Sequence, residues 1–298
     1  MPQVSVIIPA LNAAVFLPRL FAGLKSAIDA FPGEVEVILV DNGSKDETPR
    51  VAESHGARVL HCPTPGPAAA RNHGMRHAQA PLLLLLDADC VPGPDYIASW
   101  VQAFEEDPEL MLAGGNLLDA ETNSLIGMYT SFYCILNAER FAIPTATRPG
   151  FLLTANFALR SSVLFTLGFF DEGMYPAGED ADYCWRADDI QLKRRFLSHI
   201  YVSHHHRTTW KGLACQMYKY GYGAATVQAK WGKRFGFAVE VDWRCWVRIP
   251  RAIVKLIVFP FRYRHSWRKY EGLLDLVRYP AFMLGRLRGS IKYRILCL

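Results

Sequence analysis

The sequence predicts an α/β protein: a Rossmann-like, mostly parallel sheet flanked by helices, followed by a basic helical extension. Three observations predict it. Strand and helix patterns alternate through the first hundred residues; one candidate strand is five consecutive leucines, in PLLLLLDADC (81–90); and charge is divided unevenly along the chain.

VSVII (4–8) reads as the first strand. Leu17, Leu20, Leu24, Ala27, Ile28 and Phe31 recur at helical spacing, with Asn12 upstream where a cap could form. VEVILV (35–40) is the next strand, and Ser44-Lys45-Asp46-Glu47 resembles a capping box that opens a helix. ARVLH (57–61), a short helix around 68–78 and the leucine strand 82–86 complete the pattern. Strands alternating with helices imply a parallel sheet with right-handed crossovers. No G-x-G-x-x-G follows the first strand and no Walker A motif occurs, which excludes the usual dinucleotide and P-loop sites.

At 298 residues, half of them apolar, the chain can bury one large core or two modest ones. Its seven cysteines (62, 90, 134, 184, 215, 245 and 297) are scattered with no C-x-x-C, which points to reduced thiols in a cytoplasm rather than a disulfide scaffold or zinc module. The start of the chain reads as strand with no signal-peptide pattern, and nowhere do eighteen apolar residues run together. The net charge of +5 hides a division: 244–298 carries 13 Lys/Arg against two acids, so 1–243 is net −6. The expected organisation is a catalytic domain over 1–243 and a basic tail over 244–298.

A short apolar run bounded by proline and acidic residues fits a strand covered on both faces. In open sheets of this kind, ligands bind beyond the carboxyl ends of the strands. If the backbone stays extended past Leu86, Asp87 and Asp89 point the same way. Converging carboxylates repel unless a cation lies between them, and a divalent ion such as Mg²⁺ suits them. A solvated acidic turn is the simpler account of an isolated D-x-D; the position at a buried strand's end favours the metal.

Asp41 ends the second strand in VDNGS, either as a turn residue or as an acceptor for a base N–H. Arg71, in PGPAAARNHG, opens a helix where an anion is favoured, or is an ordinary surface arginine. In GEDADYCWRADD (178–189), Asp180 and Asp182 are about 200° apart on a helix and cannot share one site. Asp182 and Arg186 fit a surface i,i+4 ion pair. Glu179 and Asp180 remain at the helix N-terminus, either to complement its dipole or to move a proton. In IYVSHHHRTTW, His204 and His206 share one face of an extended segment and His205 does not.

Together VSVIIPALN, VDNGSKDET, GPAAARNHG, LLLLLDADC and GEDADYCWR resemble glycosyltransferase family 2 in order and distance, over about residues 3–225. The resemblance implies a GT-A fold and an inverting transfer from a nucleotide-diphosphate-sugar, with Mg²⁺ or Mn²⁺ on the D-x-D motif. It implies that Pro9, Asn12, Asp41, Arg71 and Asp87 meet the nucleotide-sugar, Asp41 at the base. It makes Asp89 the direct metal ligand, with Asp87 at the ribose or the metal. Asp180 matches the general base, with Glu179 supporting it. A histidine of the H-x-H-R pattern adds a metal ligand; His204 and His206 both fit, with His204 preferred. Residues 148–160 match the acceptor cleft, with Thr154, Ala155 and Asn156 as its lining.

In the tail, Arg248, Arg251 and Lys255 recur at helical spacing against Ile249, Ile253, Leu256 and Ile257, with Trp246 and Trp267 nearby. Such a helix fits an anionic membrane surface; the alternative is helices docked on the catalytic domain. Nucleic acid is excluded as a partner by the acidic body and the absence of a recognition motif. The expected protein is a glycosyltransferase on the inner face of the cell membrane, acting on a hydroxyl acceptor of the envelope or on a lipid-linked one. A nucleotidyltransferase would not need the downstream Glu-Asp pair. A catalytically dead binding protein would not need Asp87, Asp89 and Asp180 intact.

Overall fold

In a computed structural model that describes residues 1–120, 122–146, 148–237, 239–240 and 243–297, the chain begins β1 (Val4–Ala10), α1 (Leu17–Ala30), β2 (Val35–Asp41), α2 (Thr48–Ser54), β3 (Arg58–His61), α3 (Pro67–His77) and β4 (Leu82–Leu86). There follow β5 (Cys90–Pro92), α4 (Tyr96–Glu106), β6 (Leu112–Asp119), α5 (Leu125–Phe132), α6 (Ala138–Ala142), β7 (Asn156–Arg160), α7 (Val163–Thr166), α8 (Glu179–Asp189) and β8 (Arg194–His204). The last elements are α9 (Trp210–Phe235), β9 (Val239–Glu240), α10 (Trp243–Arg262), α11 (Glu271–Tyr293) and β10 (Leu296–Cys297).

Eight strands form one sheet in the order β3-β2-β1-β4-β7-β6-β8-β5. The first four are parallel, as strand–helix alternation requires, whereas β7 runs antiparallel to both β4 and β6. The leucine strand explains itself at this point. Leu84 and Leu86 enter the core on one face of the sheet, Leu83 and Leu85 the core on the other. A strand covered on both sides has no polar face to offer, and each leucine buried contributes about 1.5–3 kcal/mol.

Several local expectations are corrected. The backbone does not stay extended past Leu86: Cys90 N–H donates to the Asp87 carbonyl at 3.0 Å, closing a turn over the D-x-D triplet. Ser44–Glu47 is a loop rather than a capping box, and α2 starts at Thr48, whose N–H donates to Asp46. Nor does Asn12 cap α1. With φ of 51° it turns the chain, accepts from Lys45 N–H and donates its own N–H to Ser44 Oγ, so the two loops brace each other.

The tail is docked along much of its length. α11 lies against α9 so closely that a Cβ on Gly221 would sit 1.9 Å from the Phe282 carbonyl, and one on Gly285 would sit 2.1 Å from that of Tyr218. Leu274 joins Ile126, Tyr129, Leu213 and Met217 in a third core cluster. α10 packs on α11 through Ala252, yet leaves Val254, Ile257 and Phe261 exposed, the last at 85%. Ile253 and Leu256 are exposed too, so the apolar face expected of this helix is largely uncovered. The side chain of Trp246 lies outside the described residues. Among those described, no helix is long and apolar enough to cross a membrane.

Candidate active site

The carboxyl ends of β2, β1 and β4 lie side by side, and the candidate residues collect beyond them. The β1–β2 register runs from Val4 opposite Val35 to Ala10 opposite Asp41, which sets Pro9 and Asn12 beside Asp41. Asp41 is buried and accepts from Ser44 N–H at 3.1 Å, with His61 Nδ1 at 3.4 Å. Next to it, Asn42 Oδ1 accepts from Gly66 N–H and sets the entry to α3.

α3 lies tight on the sheet, since a Cβ on Gly74 would meet Ile7 Cγ2 at 2.4 Å. That closeness places Arg71 inside the protein, 4% exposed, rather than at a surface helix start. Its guanidinium donates to Asp87 Oδ1 at 2.8 Å and to Glu179 Oε1 at 2.7 Å. Burial pulls its pKa down, but Asp87 and Glu179 outweigh burial and hold it charged. Thus the anions that meet Arg71 here are two of the protein's own carboxylates.

Asp87 and Asp89 diverge. Asp87 turns toward Arg71, while Asp89 turns to β8: His205 N–H donates to its carbonyl at 2.8 Å, and Arg207 reaches its carboxylate at 3.2 Å. The register of β5 with β8 sets Cys90 opposite His204, which leaves His204 Nε2 3.7 Å from Asp89 Oδ1. His204 and His206 do share a face, with ring centroids 4.9 Å apart. They differ in commitment. His206 Nε2 is 2.5 Å from Asp119 Oδ1, and Asp119 also accepts from the Ser131 hydroxyl. His204 has Asp89 as its facing group, and burial pushes its pKa down, which favours the neutral ring.

The Asp89–His204 pair fits a divalent cation. Two ligands each about 2.1 Å from one ion lie about 3 Å apart when adjacent and about 4.2 Å apart when opposite. The observed 3.7 Å falls between these and is too long for a hydrogen bond. Oxygen with imidazole nitrogen also suits Mn²⁺ as a donor set. Among the described residues no third histidine, cysteine or carboxylate completes a ready-made cluster with them, because Asp87 is turned to Arg71.

Gly178 precedes α8 with φ of 108°, where a Cβ would also lie 2.7 Å from Val227 Cγ2. The helix then opens with two adjacent acids in different surroundings. Glu179 points inward to Arg71. Asp180 has no ion pair among the described residues, and its Oδ1 accepts from Ala181 N–H at 2.9 Å. Burial, then the adjacent Glu179 charge, push the Asp180 carboxyl up to about 7, against the opposing pull of Arg71. Asp182 does pair with Arg186, at 2.9 Å, but the pair is not on the surface. Fully buried, Asp182 also receives Trp231 Nε1 and Lys230, and so ties α8 to α9.

Thr154, Ala155 and Asn156, the expected acceptor lining, are all buried, as are Asp41, Arg71 and His204. Ala155 instead accepts from Asp87 N–H and braces the D-x-D turn. Asn156 fills the irregular step between β6 and β8, donating to the Asn116 and Ile200 carbonyls and accepting from the Tyr96 hydroxyl. Sequence reasoning passed over Asp119 and Arg207. Arg207 had a signal, as the last residue of the histidine run, whereas Asp119 has no local mark.

The sequence model of Glycosyl transferase family 2 matches residues 5–163, more than half of the chain. The chain belongs to glycosyl transferase family 2. This family 2 chain is 29% identical to a pre-mycofactocin glycosyltransferase of Mycobacterium tuberculosis over 235 residues, which cover 76% of it and 48% of that relative. It thus spans about half the length of the curated relatives first matched. It is 26% identical to glycosyltransferase AglE of Haloferax volcanii, over 76% of itself and 74% of AglE. Its fold is GT-A. The mannosyltransferase PcManGT of Pyrobaculum calidifontis, in complex with GDP-Man and Mn²⁺, superimposes with a TM-score of 0.61 over 96% of this chain and 87% of the other, at 18% identity. Glucosyl-3-phosphoglycerate synthase of M. tuberculosis, in complex with Mn²⁺, UDP and glucosyl-3-phosphoglycerate, does so at 0.53, over 80% and 83%, at 19% identity.

Removing one partner from a buried charge network leaves the others uncompensated, at about 3–5 kcal/mol. Arg71→Met strands Glu179 beside Asp180 and frees Asp87. Urea unfolding of the full chain is expected to show that loss; a change below about 1 kcal/mol would show that the carboxylates do not depend on Arg71.

Proposed function

We propose that this chain is an inverting glycosyltransferase that moves a sugar from a nucleotide-diphosphate-sugar to a hydroxyl acceptor, with Asp180 as general base. One observation carries the reading: of the two acids opening α8, Glu179 is tied through Arg71 to Asp87, which leaves Asp180 as a carboxylate held in place but free to accept a proton. In-line attack at the anomeric carbon requires the acceptor hydroxyl to lose its proton as it bonds, and one positioned carboxylate suffices. Asp41, with Pro9 and Asn12, would bind the nucleoside across the ends of β1 and β2. Asp89 and His204 would hold Mg²⁺ or Mn²⁺, which when bound neutralises the leaving diphosphate. The Mn²⁺ and GDP-Man of one structural neighbour, and the Mn²⁺ and UDP of the other, support this assignment.

A peripheral membrane position fits the outer face of α10, where Val254, Ile257 and Phe261 are exposed beside a line of basic residues. An envelope or lipid-linked acceptor is consistent with that position.

Asp180→Asn keeps the shape and removes the proton acceptor. Donor affinity is expected to persist while turnover falls about 10²–10⁴-fold. The base must be ionised, so a carboxyl raised to about 7 makes kcat fall below pH 7 with unit slope. Burial sets most of this shift, with the Glu179 charge adding to it and Arg71 opposing. Normal turnover in Asp180→Asn, or retention of anomeric configuration by NMR of the product, would reject the mechanism.

For the metal, Asp89→Ala is expected to lose Mn²⁺ binding in a calorimetric titration, since one imidazole alone holds the ion poorly. Unchanged Mn²⁺ affinity would remove Asp89 from the ligand set. For the membrane, full-length protein is expected to float with anionic vesicles at low salt and to release partly as salt rises. No flotation under those conditions would leave α10 without this role.

A further inference from the structure

A cavity of about 600 Å³ lies where the segment after α5 meets α10 and α11, and it is lined by Arg140, Arg248, Arg251, Lys255, Arg278 and Asp275 among others. The balance of charge is lopsided. Its carboxylate, Asp275, is already shared between Lys255 at 2.7 Å and the Tyr129 hydroxyl at 2.5 Å. Lys255 is further engaged by Glu271 at 2.7 Å. That leaves four arginines, and among the described residues none of the four pairs with a carboxylate. Converging like charges in a concave site raise its potential and favour a counter-anion.

Two of the arginines are also held in place. Arg248 stacks on Tyr279 with 5.4 Å from guanidinium to ring centroid, and Arg278 stacks on Tyr133 and Tyr279 at 5.2 and 5.3 Å. The Nη1 of Arg278 is buried in this lining with no hydrogen-bond partner. Buried donors are nearly always satisfied, so an orphan in a positive pocket points to a missing acceptor. Planar forks stacked on aromatic faces and turned to one space match the oxygens of a phosphate in two-pronged fashion, better than a monoanion of one oxygen.

We propose that this cavity is a second anion site, separate from the carboxylate centre, that binds a phosphate or diphosphate group. The group could arrive on a lipid headgroup, since the exposed apolar face of α10 adjoins Arg248 and Arg251 along the same helix, or on a soluble phosphate ester. The proposal does not depend on the transfer chemistry.

The probe is inorganic pyrophosphate, titrated calorimetrically into the full chain in the presence of a chelator, so that a metal-dependent nucleotide site does not contribute. Arg140 and Arg251 are exposed, so Arg140→Gln/Arg251→Gln is expected to fold as the parent does. It should bind pyrophosphate at least about tenfold more weakly, because each charge-assisted fork is worth more than an order of magnitude in affinity. Arg50→Gln/Arg58→Gln removes the same charge from exposed positions elsewhere and is expected to leave the affinity unchanged. If both double variants weaken binding alike, or neither does, the site does not exist. The source follows from two competitors, each of which supports the site when it succeeds. Displacement by vesicles containing phosphatidic acid, with loss of flotation in Arg140→Gln/Arg251→Gln, identifies a headgroup; displacement by glycerol phosphate with flotation intact identifies a soluble ester.

Discussion

The structure turns on one buried cation. Arg71 sits at the junction of three segments that the chain delivers separately: α3, which carries it, the end of β4, which carries Asp87, and the start of α8, which carries Glu179. Without a positive charge among them, Asp87, Glu179 and Asp180 could not lie so near one another inside the protein. The same charge sorts the two acids of α8. Glu179 takes the ion pair, and Asp180, next to that carboxylate and partly buried, finds it harder to ionise. A difference in role thus arises between adjacent residues of one type from which of them reaches the arginine.

The sheet supplies the rigidity that this arrangement needs. The leucine strand is clamped between two cores, so the turn beyond it has a fixed origin. The turn is braced again by Ala155 and, at Asp89, by the β8 backbone through His205. Asn156 then seals the step between β6 and β8, where ladder bonding is interrupted. The Asn156 side chain, which the family resemblance assigns to the acceptor lining, here holds the backbone, since a buried amide must satisfy itself within the protein.

The helical end of the chain is docked, yet not wholly covered. α11 is core, closed on α9 by glycines and tied through Asp275 to Tyr129, while α10 covers one side of α11 and keeps an apolar face uncovered. Much of the basic excess of the tail is carried on this pair of helices. Some of it is neutralised, as at Lys255, and some lines the cavity, as at Arg278, whose Nη1 has no hydrogen-bond partner.

The sequence by itself determined the strands and helices up to Leu86, the depth of the leucine strand, the place of its aspartates and the family. These depend on local periodicity, composition and motif spacing, which a linear chain carries in full. It also brought His204 and His206 onto one face, because alternation along a strand is local. What only the tertiary structure decided is which charges meet. Arg71 and Glu179 are 108 positions apart, and nothing at either end marks the other. His204 faces Asp89, and His206 meets Asp119, because the end of β8 lies between β5 and β6. Asn156 is buried because a bulge in two other strands needed its amide, and Asp182 because α9 lies over it. Register and burial are properties of distant segments brought together, so pattern alone could name the candidate groups but not assign their partners.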